Sequence, residues 1–443
     1  MLRTIFVIGI IGIGAAFAIR RPFYSLLLYF WLAYFRPEQW VWNDFISSLN
    51  LSFIVGIWTT FATVLSREEK FRFNLRVGML VLFLLQGLVS TLVAPHSDLA
   101  WHWWVEFLKW VLMTYFIVVM ATDVRKFRLI LVVIALSLGF ESAKQGWAGL
   151  ILHPGGANMN ELPQLGDNNC VAVGMLMLAP ILTTLGATAS RKGERWFYRF
   201  LAVGVLNRGI TTYSRGGFLA FIALGLTYVL RSTKRVPAIL GIVLAALIIL
   251  PVMPSAFWQR MGTIKPPDQI EQEDDSARGR LHFWNVAIAM ANDRPLFGVG
   301  CNSYNATYDA YDDSKGWYGY NRSVHSAWFG VLAELGYPGL VLFLAQLILA
   351  FSACRRARRA AKLGGEHAIL KQFAFGLEAG LVVFAVGGTF LPFQYTEMLW
   401  HWIGLTIALD GLARTALASV AVRVPAGSGA FQRAPIPRTA FVS

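Results

Sequence analysis

The chain has 443 residues, 56% of them hydrophobic and only 14% charged, with sixteen tryptophans and thirty-two phenylalanines. Its apolar residues fall in long unbroken runs rather than at amphipathic or alternating spacing, which argues against a soluble domain and against a β-barrel and leaves membrane helices. The formal charge of +14 would suggest nucleic acid in a soluble protein, but the basic residues cluster in short connections between apolar runs, as the positive-inside rule requires, so no nucleic-acid partner is expected.

Apolar runs near 3–19, 22–35, 51–65, 76–94, 103–121, 127–146, 170–188, 197–213, 216–230, 236–253, 326–352, 370–391 and 394–413 predict an all-α polytopic protein with about twelve or thirteen crossings. The stretch 3–35 can also be drawn as a shallow hairpin, which leaves the side of the N-terminus open. Arg20, Arg21 and Pro22 lead into more apolar sequence instead of a small-residue cleavage site, so no cleaved signal peptide is expected. With the spans alternating, the basic connections 66–76, 123–128, 190–199, 231–235 and 354–362 face the cytoplasm together with a tail, 414–443, that reads as disordered. The opposite face receives 36–50, 95–102, 147–169, the tip TTYSRGG (211–217) and a large loop, 254–325. Residues 1–253 then form an N-terminal helix bundle and 326–413 the C-terminal helices. Cys170, Cys301 and Cys354 are scattered, with no disulfide framework or metal-ligand spacing.

Chemistry concentrates on the outer face. The GDNNC segment (166–170) brings Asn168 and Asn169 there. Arg208 and Arg215, seven residues apart, are read as one helical stripe that suits an anion, because a guanidinium is always charged and its planar fork matches phosphate oxygens. Gly216 and Gly217 would let backbone approach that anion at a helix N-terminus. Within the large loop, Ser276 is a candidate N-cap of a helix lying outside the bilayer core, in which Arg280 and Trp284 share a face. The acidic run Glu271, Glu273, Asp274 and Asp275 lacks the glycine and alternate spacing of a calcium loop, so no metal is expected. YDAYDDSKGWYGYNRS (308–323) offers flat rings and hydrogen bonds suited to sugars, or is a plain surface loop. His325 stands where this loop enters a membrane helix, and Glu334 lies nine residues deeper. The bland alternatives are snorkelling arginines and a structural histidine. Against them stands the arrival of Arg215, Arg280 and His325 on one face, where an anion among apolar helices is most naturally a lipid phosphate.

At these residues the sequence resembles the O-antigen ligase and O-antigen polymerase superfamily of bacterial inner-membrane glycosyltransferases. The resemblance is carried by TYSRGGFLA (212–220), SARGRLHFW followed by RPLFGVG (276–300), and HSAWFGVLAELGYPGL (325–340). AIRRPFYSLLLYFWLAYFRPEQW (18–40), LGDNNCVAVG (165–174) and FWQRMGTIK (257–265) look like a narrower branch, the O-glycosylation ligases that accompany exosortase A systems. The resemblance implies a GT-C-like fold and a polyprenyl-diphosphate-linked glycan donor. It also implies transfer on the periplasmic side to a hydroxyl of a protein or lipid, without metal, cofactor or nucleotide sugar. His325 matches the family's base, and Arg215 and Arg280 match its diphosphate-binding arginines, with Arg208, Arg278, Asn168 and Asn169 in secondary places. Arg278 departs from the family pattern, and its neighbour Arg280 is favoured for its spacing to Trp284. A polymerase using the same donor, or a flippase of lipid-linked glycans, are the competing readings; a flippase would show paired broken helices near the midplane, which this sequence lacks.

Overall fold

The structure, a computed structural model, describes residues 2–39, 49–66, 71–162, 164–264 and 275–423. Every apolar run named above is a helix: α1 (Leu2–Arg20), α2 (Pro22–Phe35), α3 (Leu51–Leu65), α4 (Leu75–Leu92), α5 (Ser97–Met120), α6 (Val124–Leu152), α7 (Asn168–Ala187), α8 (Lys192–Ile210), α9 (Arg215–Arg231), α10 (Arg235–Ile249), α14 (Ala327–Ala360), α15 (Leu370–Gly387) and α16 (Glu397–Arg423). The large loop adds α11 (Ser255–Gly262), α12 (Asp275–Asp293) and α13 (Tyr304–Tyr311). No strand occurs among the described residues. Five segments are long and apolar enough to cross a membrane by themselves: Leu75–Leu92, Ser97–Met120, Asn168–Ala187, Ala327–Leu363 and Gly365–Phe390. The protein is therefore an all-α polytopic membrane protein. The remaining runs of the twelve or thirteen expected are helices that fall short of that standard in length or apolarity.

Helix α7 is buried along nearly its whole length, because its neighbours α8, α9 and α15 surround it. Small residues set how closely the helices approach. A Cβ on Gly146 of α6 would lie 1.8 Å from the carbonyl oxygen of Gly204 on α8, so these two backbones touch and neither glycine tolerates a side chain.

Several basic residues attributed above to membrane orientation are ion-paired. Glu378 receives Arg231 and Arg358, Asp410 receives Arg356 and Arg414, and Arg128 meets Glu194. Arg231 closes α9 at the end opposite Arg215, about 25 Å away at 1.5 Å per residue. These clusters thus staple one end of the bundle while the candidate site lies at the other.

At that other end, α14 is broken. Gly336 has φ 67 and ψ −173, and Pro338 follows, so the turn around them cannot close its own hydrogen bonds. The segment Arg294–Gly300 fills the break: Val299 N donates to Ala333 O at 2.9 Å, Gly300 N to Glu334 O at 3.1 Å, and Tyr337 N to Pro295 O at 2.9 Å. Ser90 of α4 donates to the same Glu334 carbonyl and Gln86 to those of Leu296 and Leu335. The Glu334 carboxylate reaches outward to accept from Tyr304 N, the first residue of α13, and from Gln394 Nε2, both at 3.3 Å. The single span expected over 326–352 is thus two pieces, and the loop motif RPLFGVG is the patch between them.

Two further expectations change. Helix α12 begins at Asp275, so Ser276 sits inside the first turn and is not its cap. Helix α16 continues to Arg423, so 414–423 is helical and not a disordered tail. The rest of that tail, 424–443, and the acids Glu271, Glu273 and Asp274 lie outside the described residues.

Candidate active site

The TTYSRGG tip is a turn that separates α8 from α9. Thr211 and Thr212 return their hydroxyls to carbonyls of α8, and Tyr213 reverses the chain at φ 54. Ser214 then caps α9, accepting from Gly217 N at 3.2 Å. The reversal puts Arg208 and Arg215 on different helices, so they form no common stripe. Arg208 is fully buried and donates to Gln145 Oε1 (3.0 Å), Asn158 O (3.0 Å) and Asn160 O (2.5 Å), which makes it the clamp of the 153–166 connection and not a ligand group. Gly217 also serves packing: a Cβ there would stand 2.7 Å from that of Ala172 on α7, and its N–H is already taken by Ser214.

Arg215 opens α9 and donates from Nη1 to Thr263 Oγ1 at 2.8 Å. Thr263 in turn donates to the carbonyl of Arg260, one turn back on α11, and Arg260 Nε donates to Tyr213 O at 2.8 Å. A closed circuit therefore joins the tip to α11, with the ring of Phe257 packed on Tyr213 beneath it.

Helix α12 buries Phe283, Val286, Ala287, Met290 and Ala291, residues at three-to-four spacing, against the first half of α14. Trp284 stacks on Phe329 of α14 (centroids 5.1 Å, planes 18° apart). The ring thus anchors α12 to the bundle. Arg278 is exposed, whereas Arg280 turns inward.

The wall facing α12 is the segment after α13. Asp312 accepts from Ser314 N and Oγ, Gly316 N and His282 Nε2, while His282 Nδ1 faces Asp313 at 3.3 Å. Burial pushes the Asp312 acid up, but the hydrogen bonds from Ser314, Gly316 and His282 outweigh it and hold the group at about 2. The imidazole of His282 then carries Tyr318 stacked on its face at 4.8 Å.

These pieces enclose a cavity of about 650 Å³ lined by Asn169, Arg260, Arg280, Phe283, Trp317, Tyr318, Arg322 and His325. Among the described residues no acidic side chain lines it, and its size is that of a ligand site. A larger groove, of about 760 Å³, lies among Phe6, Phe17, Leu28, Trp31 and Phe140 of the membrane helices; it is apolar throughout except for Tyr24 and Ser137 and holds no chemistry.

His325 is held at φ 48, a conformation uncommon outside glycine and a form of strain that clusters at functional positions. Ser326 caps α14 directly after it. Among the described residues the imidazole makes no hydrogen bond, and its ring stands 6.1 Å from that of Phe283. Burial first, then the charge of Arg280, push it down to about 4, with Asp167 opposing and Arg322 adding to them. At neutral pH it is therefore an uncharged base facing a cationic cavity.

Of the residues singled out in the sequence, Arg280, His325 and Asn169 meet in this cavity, and Arg215 lies behind its wall through Thr263. Asn168 instead donates to Thr212 O and Met159 Sδ and steadies the tip. Arg260, Trp317, Tyr318 and Arg322 were not named individually from the sequence. The last three lie in the segment 308–323 noted for rings and hydrogen bonds suited to sugars, and only folding shows which side chains turn inward.

Residues 200–344 match the model of the O-antigen ligase family. An O-antigen ligase domain thus occupies this part of the chain. The protein is a membrane enzyme of the O-antigen ligase or polymerase type, and Arg215, Arg260, Arg280, Arg322 and His325 all lie inside the matched domain. Residues 2–182 match a family of unknown function, DUF5935, so Asn169 reaches the cavity of this O-antigen ligase relative from outside the ligase domain. No curated protein matches the chain.

Proposed function

We propose that the protein transfers a glycan from a polyprenyl-diphosphate carrier to a hydroxyl of a protein or lipid acceptor, with inversion and without metal, at the periplasmic face of a bacterial inner membrane. One observation carries the reading: an uncharged histidine that makes no hydrogen bond among the described residues and an inward-turned arginine line the same cavity, to which no described residue contributes a carboxylate. The acceptor oxygen attacks the anomeric carbon while His325 takes its proton, and the diphosphate departs on the opposite side. Arg280, with Arg215 behind it, offsets the charge that develops on the leaving group, usually the largest contribution in such sites.

A base held near 4 is weak until its neighbourhood changes. The incoming diphosphate supplies that change, because its negative charge cancels the influence of Arg280 and raises the imidazole's affinity for a proton. Donor binding thus prepares the base. A transfer assay with purified protein and lipid-linked glycan tests the assignment: His325→Ala should slow transfer by ~10²- to 10⁴-fold, and Arg280→Ala by about 10²- to 10³-fold. Folded variants of both residues that keep near-normal rates would overturn it. A polymerase differs from a ligase here only in its acceptor, and the product separates them: a ladder of lengthening lipid-linked chains indicates polymerisation, a single transfer to protein or lipid A core indicates ligation.

A further inference from the structure

We propose that Arg322, with Trp317 and Tyr318, forms a subsite for an acidic sugar, so that the transferred glycan carries a carboxylate on the residue nearest the diphosphate. The proposal rests on the donor reading above and adds the identity of the sugar.

The position of Arg322 is the first argument. Its guanidinium carbon lies 5.4 Å from the centroid of the Phe283 ring, and His325 stands beside that same ring. In an inverting transfer the anomeric carbon meets the acceptor oxygen next to the base, so a group that shares a ring with His325 faces the sugar being transferred. Arg280 lies one helical turn back from Phe283, on the side left for the departing phosphates.

The second argument is how the cation is seated. An aromatic face holds a guanidinium flat without neutralising it, leaving the N–H edges for an anion. Among the described residues Arg322 makes no hydrogen bond or ion pair. Tyr308 lies within its electrostatic reach and is itself pushed up to about 12, chiefly by burial and then by Asp312, so it remains an uncharged phenol and supplies no counter-charge. A planar carboxylate fits that fork with two parallel hydrogen bonds, which a neutral hydroxymethyl group cannot reproduce.

The surrounding wall is the third argument. Trp317 is 78% exposed although it lines the cavity, presenting a flat ring of the kind that covers the apolar face of a pyranose. Tyr318 is pinned through His282 to Asp312, so this wall is ordered before ligand arrives and loses little freedom on binding.

The test is equilibrium binding of two probes to the purified full-length protein in detergent: polyprenyl diphosphate bearing a single glucuronic acid, and the same lipid bearing glucose. Wild type should bind the acidic probe about tenfold more tightly, the value of one charge-assisted contact. Arg322→Gln should bring the two affinities within about threefold of each other, whereas Arg280→Gln should weaken both and preserve their ratio. Because each ratio is measured on one protein preparation, partial misfolding cancels. Equal binding by wild type, or a preference that survives Arg322→Gln, overturns the acidic-sugar assignment and leaves glycosyl transfer standing. Uniform weakening of both probes by Arg322→Gln also overturns it, because Arg322 would then be a diphosphate ligand. The transfer reading itself fails on a different result, namely unchanged turnover in His325→Ala and Arg280→Ala.

Discussion

His325 shows how neighbours define a residue's chemistry. In water an imidazole is half-protonated near 6.5; here burial and Arg280 move that point to about 4. A lowered value means that the folded protein favours the neutral ring, so kcat/KM, which reports the free enzyme, should stay level as pH falls through 6.5 and drop only towards 4. The limb in kcat, which reports the donor-bound enzyme, should lie at higher pH because the diphosphate offsets Arg280. Initial rates across pH at low and saturating donor measure both, and coincident limbs would contradict donor-prepared catalysis. The sign for folding is the same: the unfolded chain binds the extra proton first, so the stability that this group contributes is whole above 6.5 and falls away between there and about 4. The residue type and its place at a helix entrance were legible in the sequence. Its positive φ, and its lack of a hydrogen-bonding partner among the described residues, became visible only in the fold.

At the level of elements, two segments that carry the family resemblance are devices of shape. In the TTYSRGG tip, Gly217 admits Ala172, and Tyr213 makes the reversal that sends Arg208 into the interior and Arg215 outward. In ELGYPGL, Gly336 permits the break in α14, and a Cβ there would meet Pro295 O at 2.5 Å. Gly336→Leu should therefore carry about 1–3 kcal/mol of backbone strain before any clash is counted. The expected result is release of the 294–300 segment, seen as faster tryptic cleavage at Arg294, with transfer lost and helicity by circular dichroism retained. The analogous change at an exposed helical glycine such as Gly9, which has nothing within 4 Å of its Cβ position, should affect neither cleavage nor transfer.

For the whole molecule, the arrangement separates anchoring from chemistry. One end of the bundle is held by carboxylates shared between arginines of different helices, and the other carries a cavity lined by cations and, among the described residues, by no acid. Glu378→Ala should cost about 1.5–3 kcal/mol, the worth of hydrogen bonds to charged groups, and lower Tm. Because Arg231 is a full helix away from Arg215, kcat/KM of the folded fraction should be unchanged; a large drop in kcat/KM would mean that the two ends are coupled. Continuous apolar runs located these helices well, since a run of membrane length has few other folds open to it. It did not distinguish arginines that orient the chain from arginines that pair within it, because the acids concerned, Glu378 and Asp410, lie in different runs.

What the sequence alone determined was the material and the outline: helices from continuous apolar runs, a polar loop too long to be a connection, and a set of arginines and one histidine at helix ends. Composition and local spacing suffice for this because burial of apolar surface and the need to satisfy backbone groups in lipid act within each segment. The tertiary structure alone decided which cations share a cavity. It consumed Arg208 in a loop clamp, turned Arg280 inward and Arg278 out, and brought Arg260 and Arg280 from separate helices to the histidine. Those outcomes depend on side-chain direction and on contacts between distant segments, and no one-dimensional spacing encodes either.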